Sequence, residues 1–251
     1  MSTRAIPDAV LAATDSRDEA ELVLRAAQAL RAGDVVAIPT DTVYGFAAAL
    51  DRPDAIDRLY ATKGRPAEKA IPVLISDWEH VQRLTPRLSA TAAHLARSFW
   101  PGALTLVLGA RPDLPEGVTT VTSDGMQTVA VRVPDNGLAR AIIAAAGGAL
   151  AVTSANRSGA APAVEAREVR EVGLSEPLLV IDGGRAPGGV PSTIVMALSE
   201  RPEILREGAI AVSAIAAALA KIEPAPEDPQ RARYDQRMKG QARNNASAAT
   251  R

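Results

Sequence analysis

The stretch Val35-Val36-Ala37-Ile38-Pro39-Thr40-Asp41-Thr42-Val43-Tyr44-Gly45 joins a short apolar run to a dense group of polar side chains. Four successive apolar residues predict a buried strand, and Pro39 ends it because proline cannot donate to a sheet. In α/β proteins, a buried strand often leads into a polar binding loop of this kind. A hairpin or an Asx-type turn uses the same residues for local hydrogen bonds, and the sequence leaves both interpretations open.

Outward from this stretch, helix and strand patterns alternate along the chain. A helix is predicted over Glu19–Ala32 with Gly33 as its C′ residue, and a second one begins at Pro53 and ends at Gly64. The other predicted strands are Ile71–Ile75, Leu104–Leu108, Val129–Val133, Leu150–Thr153, Leu178–Ile181 and Thr193–Ala197, and the other predicted helices are Leu88–Phe99, Gly137–Ala146, Val164–Val172 and Ser213–Lys221. Because several strands crowd into residues 178–206, we predict a mixed α/β sheet domain with flanking helices rather than a regular doubly wound sheet.

The ends of the chain differ in composition from its body. We expect residues 1–17 to form a lead-in, 18–221 a single domain, and 222–251 a disordered tail rich in Pro, Gln, Asn and Ala. Residues 221–251 hold seven Lys and Arg against four Asp and Glu, whereas the preceding 220 hold 21 against 25. The body therefore has no general electrostatic attraction to nucleic acid, and an anion site must come from local clustering.

The composition excludes several kinds of chemistry. With no cysteine, the chain has no disulfide, no thiolate nucleophile and no Cys-based metal site. Its two histidines, His80 and His94, lie in predicted helices, which disfavours both a multi-histidine metal site and a Ser–His nucleophile. The sequence shows neither an apolar run long enough to span a membrane nor a secretory signal, so we expect a cytoplasmic protein.

Three further polar segments are candidate binding loops. Lys63-Gly64-Arg65-Pro66-Ala67-Glu68-Lys69 could cradle an anion, but its spacing alone favours a solvated helix end, where cations also favour the helix dipole. Thr153-Ser154-Ala155-Asn156-Arg157-Ser158-Gly159 follows a predicted strand, as the first loop does, which indicates one shared cleft. The glycine-rich segment 182–193 lacks both the Lys and the following helix of a phosphate-binding P-loop, which excludes that motif and leaves open a loop that closes over a ligand.

Two arginines lie in otherwise apolar strand patterns. Arg132 falls within Val129–Val133, where a charge is costly unless it is paired or meets a ligand. Arg206 lies at a strand end in Ile204–Gly208. An alternating strand also points an arginine outward to solvent, so the sequence alone leaves the role of each arginine open.

Taken together, these segments resemble the YrdC-like family of threonylcarbamoyl-adenylate synthases over residues 18–215. The resemblance rests on residues 39–45, Lys63-Gly-Arg65-Pro66, Phe99-Trp-Pro-Gly102, Val129-Ala-Val-Arg132, Ser154-Ala-Asn156, Asp182-Gly-Gly184, Ser192-Thr193 and Leu205-Arg206. It implies a twisted mixed sheet around one concave basic cavity, in a compact member without the second domain of longer relatives.

The resemblance also implies a reaction and its partners. The expected enzyme condenses L-threonine, bicarbonate and ATP into threonylcarbamoyl-AMP and releases pyrophosphate. A threonylcarbamoyl transferase complex would then modify a tRNA adenosine, so contact of this chain with tRNA is expected to be indirect. Mg²⁺ is expected to accompany the triphosphate, with no protein metal ligand assigned.

The family pattern assigns site residues as follows. Threonine recognition would fall to Thr42, Arg132 and Ser192, with Arg132 pairing with the carboxylate. The ATP contacts would be Lys63, Arg65, Lys69, Thr128, Ser154, Asn156 and Arg206, with Lys63 and Arg65 also taken as catalytic. Lys69 and Leu74 depart from the family pattern, since many members carry Asn and some carry His at those positions.

Two alternative functions remain open. One is an RNA-binding module, which the low aromatic content of 3% and the acidic body disfavour. The other is a paralogous carbamoyl-adenylating enzyme of unassigned substrate. Its relatives in hydrogenase maturation carry Cys-rich zinc segments that this chain lacks.

Overall fold

The computed structural model describes residues 9–12, 16–172 and 179–222. The described strands are β1 (Ala9–Ala12), β2 (Val36–Ile38), β3 (Gly45–Ala49), β4 (Val73–Ile75), β5 (Leu104–Gly109), β6 (Thr119–Val121), β7 (Gln127–Arg132), β8 (Ala149–Ser154), β9 (Leu179–Asp182), β10 (Thr193–Met196) and β11 (Glu203–Arg206). The described helices are α1 (Ser16–Arg31), α2 (Pro53–Lys63), α3 (Ala90–Phe99), α4 (Gly137–Ala145), α5 (Ala166–Glu171) and α6 (Val212–Leu219), with a 3-10 helix at Trp78–Arg83.

All the described strands belong to one mixed sheet. Their order is β1-β9-β2-β3-β8-β4-β7-β5-β10-β11, and β6 pairs with the first half of β7. Pairs β1–β9, β9–β2, β4–β7 and β5–β10 are parallel, whereas the pairs from β2 through β3 and β8 to β4 are antiparallel. The mixed α/β sheet predicted from the sequence is confirmed.

Helix α2 begins and ends where the sequence indicates, whereas the ends of the other helices differ from the predicted ones by up to three residues. Pro53 lies in the first turn of α2, and Gly64 ends that helix in the left-handed region, at φ 61°. The N–H groups of Gly64 and Arg65 donate to the carbonyls of Ala61 and Tyr60, which satisfies the last turn. Because α2 ends at Gly64, Lys63 and Arg65 lie on either side of a tight turn.

The two faces of the sheet are covered differently. On one face, α1 and α4 pack over strand residues such as Ile38, Ala47 and Leu74. The opposite face packs against α2, α3 and α6. Successive strand side chains alternate between the two faces. On β7, Val129 and Val131 therefore face the second core, and Arg132 lies on the face that carries α1 and α4.

Four strands were missing from the sequence prediction or only hinted at. β3 reads Gly-Phe-Ala-Ala-Ala, and glycine and alanine have low strand propensity, so its pairing with β2 and β8 decides its conformation. β1, β6 and β11 have three or four residues each and lie at sheet edges or beside β7. Such short segments carry too little periodicity to be recognised.

Part of the domain prediction lies outside the described residues. The described residues up to Leu219 belong to one compact unit, and of the unit that begins at Ala220 only residues up to Ile222 are described. Residues 1–8, 13–15 and 173–178, which include Leu178, are not described, nor are residues 223–251 of the predicted tail. Among the described helices, none has the length and hydropathy needed to cross a membrane.

Candidate active site in a basic cavity

A cavity of about 380 Å³ opens on the sheet face that carries α1 and α4. Its floor includes Leu74, Ala130 and Val152, and its walls come from the loops that follow β2 and α2, from the last residues of β8, and from β5, β10 and β11. Three arginines line it, Arg65, Arg132 and Arg206, against one carboxylate, Glu68. The expected concave, basic cavity is therefore present.

The stretch that follows β2 is both a hairpin connection and a cavity wall. Ile38 pairs with Gly45 across the β2–β3 hairpin, and residues 39–44 connect the two strands. Within this connection the hydroxyl of Thr40 donates to the carbonyl of Val43 at 2.6 Å, and its oxygen lies 3.0 Å from that of Thr42. The hairpin interpretation is therefore confirmed, and the turn places Thr42 in the cavity wall, where the binding role of this loop stays a prediction.

Arg132 lies in the cavity with its guanidinium held at three nitrogens. Its Nε donates to the carbonyl of Gly102 at 2.9 Å, its Nη1 to the hydroxyl of Thr42 at 3.0 Å, and its Nη2 to a carboxylate oxygen of Asp41 at 2.6 Å. The Arg132 side chain is 6% exposed and that of Asp41 12%. Burial lowers the pKa of Arg132, and Asp41 acts in the opposite direction.

Lys63 is buried behind Ser154, although the sequence also allowed a solvated helix end. Its ammonium donates to the hydroxyl of Thr153 at 2.9 Å, to the hydroxyl of Ser154 at 2.7 Å and to Oδ1 of Asn156 at 3.0 Å. Burial, and next the charge of Arg65, lower the pKa of Lys63 to about 8. Ser154 lines the cavity, so its hydroxyl lies between this buried cation and the space where a ligand would bind.

The residues after α2 separate into an inner and an outer group. Arg65 lines the cavity, and its Nε and Nη2 donate to the carbonyls of Lys69 and Ala70 at 2.7 and 2.8 Å. The side chain of Lys69 is exposed and is not among the described residues that line the cavity. The structure thus brings Lys63 and Arg65 to the site and leaves Lys69 at the surface.

A row of hydroxyls lies on the opposite wall. The hydroxyls of Ser192 and Thr105 are 2.8 Å apart, and Nη2 of Arg206 donates to the carbonyl of Ser192 at 2.7 Å. Burial, followed by the charge of Arg132, lowers the pKa of Arg206. Thr128, at the opposite end of β7 from Arg132, is buried and also lines the cavity.

Backbone hydrogen bonds join the connection 39–44 to the residues that follow β8 and to the glycine-rich segment 182–193. Gly189 donates to the carbonyl of Thr42 at 2.9 Å, and Ala155 donates to the carbonyl of Tyr44 at 2.8 Å. The phenol of Tyr44 donates to the carbonyl of Gly184 at 2.7 Å, and its burial raises its pKa to about 12. The shared cleft expected from the two strand-end loops is therefore confirmed, and Tyr44 holds the glycine-rich loop against it.

Seven of the ten sequence-predicted site residues line the cavity: Arg65, Thr128, Ser154, Arg206, Thr42, Arg132 and Ser192. Lys63 and Asn156 contact Ser154 from behind, and Lys69 lies outside. Sequence reasoning missed Thr105 and Asp41 as parts of this site. Thr105 is a polar residue in an apolar strand, the same signal that drew attention to Arg132, whereas nothing in the sequence indicates that Asp41 pairs with Arg132.

A second cavity of about 790 Å³ lies beyond the last residues of β5 and β10. Its charged lining residues are Arg87 and Glu200, and Glu200 accepts hydrogen bonds from the N–H groups of Ala90 and Thr91 at the start of α3. That carboxylate therefore caps a helix and serves a structural purpose. The smaller cavity is the better candidate because its buried cations and hydroxyls converge on one space.

The described residues contain no group of three or more His, Cys, Asp or Glu side chains that could hold a metal ion. In the smaller cavity Glu68 is the sole lining carboxylate among these residues, and Asp41 is paired with Arg132. A resident metal centre does not fit this donor set, whereas Mg²⁺ entering with a triphosphate would take its ligands mainly from phosphate oxygens and water.

We expect Gly208→Ala to disturb the Ser192 side of the cavity. A Cβ at this position would lie 2.3 Å from the carbonyl oxygen of Pro191 and 2.5 Å from the carbonyl carbon of Ser192. Both are backbone atoms, so the chain must shift, and overpacking of this kind costs about 1–3 kcal/mol of unfolding free energy. Urea denaturation measures the loss of unfolding free energy. The control is Gly137→Ala, because a Cβ at Gly137 meets open space. Gly125 also has open space around it, but its positive φ would strain an alanine. Equal stability of the Gly208 and Gly137 variants would contradict the prediction.

Comparisons with known proteins bear on this geometry. The family model Sua5/YciO/YrdC, described as "Telomere recombination", matches residues 28–208. The threonylcarbamoyl-AMP synthase of Bacillus subtilis is 37% identical over 80% of this chain and 57% of its own length, so the chain spans less than three fifths of that relative. The enzyme of the same name from Vibrio parahaemolyticus is 35% identical over 76% of this chain and 100% of its own length.

A solved structure has the same architecture. Sua5 of Pyrococcus abyssi, crystallised in complex with L-threonine, superimposes with a TM-score of 0.77 at 32% identity, over 86% of this chain and 62% of that one. This chain thus combines the sheet, the cavity and the motif residues that line it with a sequence and structural similarity to these proteins that extends over most of its length. This chain belongs to the Sua5/YciO/YrdC family.

Proposed function

We propose that this protein is an L-threonylcarbamoyladenylate synthase that forms threonylcarbamoyl-AMP and pyrophosphate from L-threonine, bicarbonate and ATP. The observation that carries the proposal is the cavity in which Arg132 and a row of hydroxyls lie opposite Arg65 and Ser154, with the buried ammonium of Lys63 hydrogen-bonded to Ser154 from behind. The names of the relatives and the threonine complex of the P. abyssi protein support the choice of substrates. We place the enzyme in the cytoplasm, where its product would pass to a transferase that modifies tRNA.

The proposed chemistry requires alignment and charge neutralisation. The threonine amine condenses with bicarbonate, by way of CO₂, to form a carbamate: the C–N bond forms, the amine loses a proton, and one water is released overall. A carbamate oxygen then attacks the α-phosphorus of ATP while pyrophosphate leaves. Two anions must therefore approach each other, and fixed cations reduce the repulsion between them. Arg65, Arg132 and Arg206 in one space of about 380 Å³ meet that requirement without a covalent nucleophile.

The Arg132 side of the cavity is the proposed amino-acid subsite. The guanidinium fork of arginine suits a carboxylate, and the hydroxyls of Thr42 and Ser192 can bond the polar groups of threonine. Thr105 contacts Ser192 at 2.8 Å and so fixes that hydroxyl.

The Lys63 side is the proposed nucleotide subsite. Arg65 and the Ser154 hydroxyl line the cavity here, with Thr128 nearby, and Lys63 and Asn156 hold Ser154 from behind. We assign Lys63 and Arg65 to neutralising the phosphate charge, with Arg206 close to where the two substrates meet. Mg²⁺ is proposed to enter with ATP as part of that substrate.

The activity should decline as the pH rises through about 8, the pKa of Lys63. With threonine and bicarbonate saturating, kcat/KM for ATP reports groups of the free enzyme, and deprotonation of Lys63 removes the positive charge that lies behind Ser154, next to the proposed phosphate position. Between pH 7 and pH 9.5 the wild-type value should fall by about tenfold for each pH unit above the pKa, and Lys63→Arg should lack this decline. A flat or rising wild-type profile would contradict the assignment.

Pyrophosphate release tests the proposal as a whole. Purified protein with ATP, Mg²⁺ and bicarbonate should release pyrophosphate only when L-threonine is added, and L-alanine should not replace it. Release that is indifferent to threonine would reject the proposal. An RNA-binding module would instead show affinity for tRNA that falls steeply with salt, and a paralogue of another substrate would respond to a different amino compound.

A further inference from the structure

Among the hydrogen bonds of the described residues, the carboxylate of Asp41 takes part in one, and its partner is Arg132. Its carboxylate accepts from Nη2 of Arg132 at 2.6 Å, and its side chain is 12% exposed. Arg132 is among the described residues that line the cavity and Asp41 is not. Asp41 therefore lies where it can set the orientation of the guanidinium without touching a ligand.

The donors of Arg132 can be counted. A guanidinium has five N–H groups, and three are directed to Gly102, Thr42 and Asp41. The remaining two belong to Nη1 and Nη2, one on each. Because a carboxylate binds best to two N–H groups of fixed geometry, its recognition depends on the contacts that stop the guanidinium from turning.

The charges of the site point the same way. Two arginines, Arg132 and Arg206, face the cavity near Ser192 and Thr42, and of these Arg132 has the carboxylate of Asp41 as its partner. Arg206 is hydrogen-bonded to a neutral carbonyl, that of Ser192. Among the described residues, this pair of arginines thus has one bound carboxylate for two positive charges, and a second carboxylate, supplied by a substrate, would complete the balance.

We propose that Asp41 is a positioning residue for amino-acid recognition: it holds the guanidinium of Arg132 so that two N–H groups remain for the carboxylate of the substrate. The inference rests on the proposed function for the identity of that substrate. Thr42 and the Gly102 carbonyl complete the clamp, and the hairpin connection 39–44 delivers both Asp41 and Thr42 to one arginine.

The test compares three variants in steady-state kinetics. Asp41→Ala should raise the KM for threonine by about 10- to 100-fold and leave the KM for ATP within about twofold. Asp41→Asn keeps an accepting oxygen in the same place, so its KM for threonine should rise by no more than about fivefold. Asp54→Ala is the matched control, because Asp54 also pairs with arginines, Arg52 and Arg58, but on the surface.

A second measurement separates positioning from general loss of structure. L-Threoninol lacks the carboxylate, and calorimetry should show that wild-type protein prefers L-threonine to it. Asp41→Ala should lower this preference by the same factor by which it raises the KM for threonine. A merely destabilised protein would instead bind both compounds more weakly by the same factor. Asp41→Asn supplies the same comparison if the alanine variant does not fold, with a correspondingly smaller change.

The outcomes distinguish this inference from the proposed function. An unchanged or lower KM for threonine in Asp41→Ala, or an equal rise in both KM values, would overturn the role of Asp41 in an active enzyme. If the wild type forms no adenylate but binds L-threonine with a preference that Asp41→Ala loses, the proposed function fails and the positioning role stands. If the wild type binds no threonine, both fail.

Discussion

The Arg132→Ala variant is expected to show a KM for threonine raised by about 100-fold, with a KM for ATP within about twofold of the wild type. The change removes the cation that would pair with the amino-acid carboxylate, and truncating one partner of a buried charge pair costs about 2–5 kcal/mol. Arg132 is 6% exposed, so little solvent screening reduces its contribution. Initial-rate kinetics with each substrate varied in turn measure both constants.

The same change should also destabilise the fold. Without Arg132, the carboxylate of Asp41, at 12% exposure, loses its ion-pair partner, which costs about 3–5 kcal/mol when the pair is buried. Circular dichroism during urea denaturation shows whether enough folded protein remains for kinetics. Arg132→Lys keeps the charge and loses the fork, so its threonine KM should lie between those of the wild type and Arg132→Ala.

The control for this prediction is Arg140→Ala, which removes an arginine paired with Asp135 outside the cavity. Its threonine KM should equal that of the wild type. A threonine KM in Arg132→Ala that is likewise unchanged would refute the amino-acid subsite. A rise in the KM for ATP alone would assign Arg132 to the nucleotide subsite instead.

The second large effect is expected for Lys63→Ala, which should lower kcat by about 1,000-fold while the KM for threonine changes little. The ammonium supplies positive charge beside the proposed phosphate position and holds Ser154 and Asn156. Removal of one preorganised charge-stabilising donor from an active site typically costs about 100- to 1,000-fold in kcat, and here the orientation of Ser154 is lost as well. Single-turnover formation of adenylate measures the step without interference from product release.

Lys69→Ala is the matched comparison, since Lys69 is an exposed lysine six positions along the chain. Its turnover should stay within about threefold of the wild type, as is usual for a surface substitution. A larger rise in its KM for ATP would support the ATP contact that the family pattern implies for this residue. Wild-type turnover in Lys63→Ala would contradict the nucleotide subsite.

The strands and loops that build the site were predictable to the extent that their local pattern is strong. The apolar runs of β2, β5, β7 and β8 stand out because they are bounded by Pro, Gly or polar clusters. β3 does not, because Gly45 and its three alanines resemble no strand until β2 and β8 pair with them on either side. Tertiary pairing, rather than local propensity, makes this segment a strand.

The side chains of the site show the same limit. Arg132 was recognisable as unusual because its position on β7 alternates with buried valines, but its partner Asp41 lies 91 positions away. Lys63 has the sequence context of a solvated helix end, and only the packing of the end of β8 against the end of α2 buries it. Long-range contacts of this kind leave no local pattern in a single sequence, whereas the resemblance to a family led to nearly all of the same residues.

The most direct test of the proposed function is the identity of the product. The protein is incubated with ATP, Mg²⁺, L-threonine and ¹³C-labelled bicarbonate, and the nucleotides are separated and analysed by mass spectrometry. We expect an adenylate that contains both threonine and the labelled carbon, formed in equal amount with pyrophosphate and absent when threonine is omitted. Release of ADP or AMP at the same rate with or without threonine, and no labelled adenylate, would contradict it.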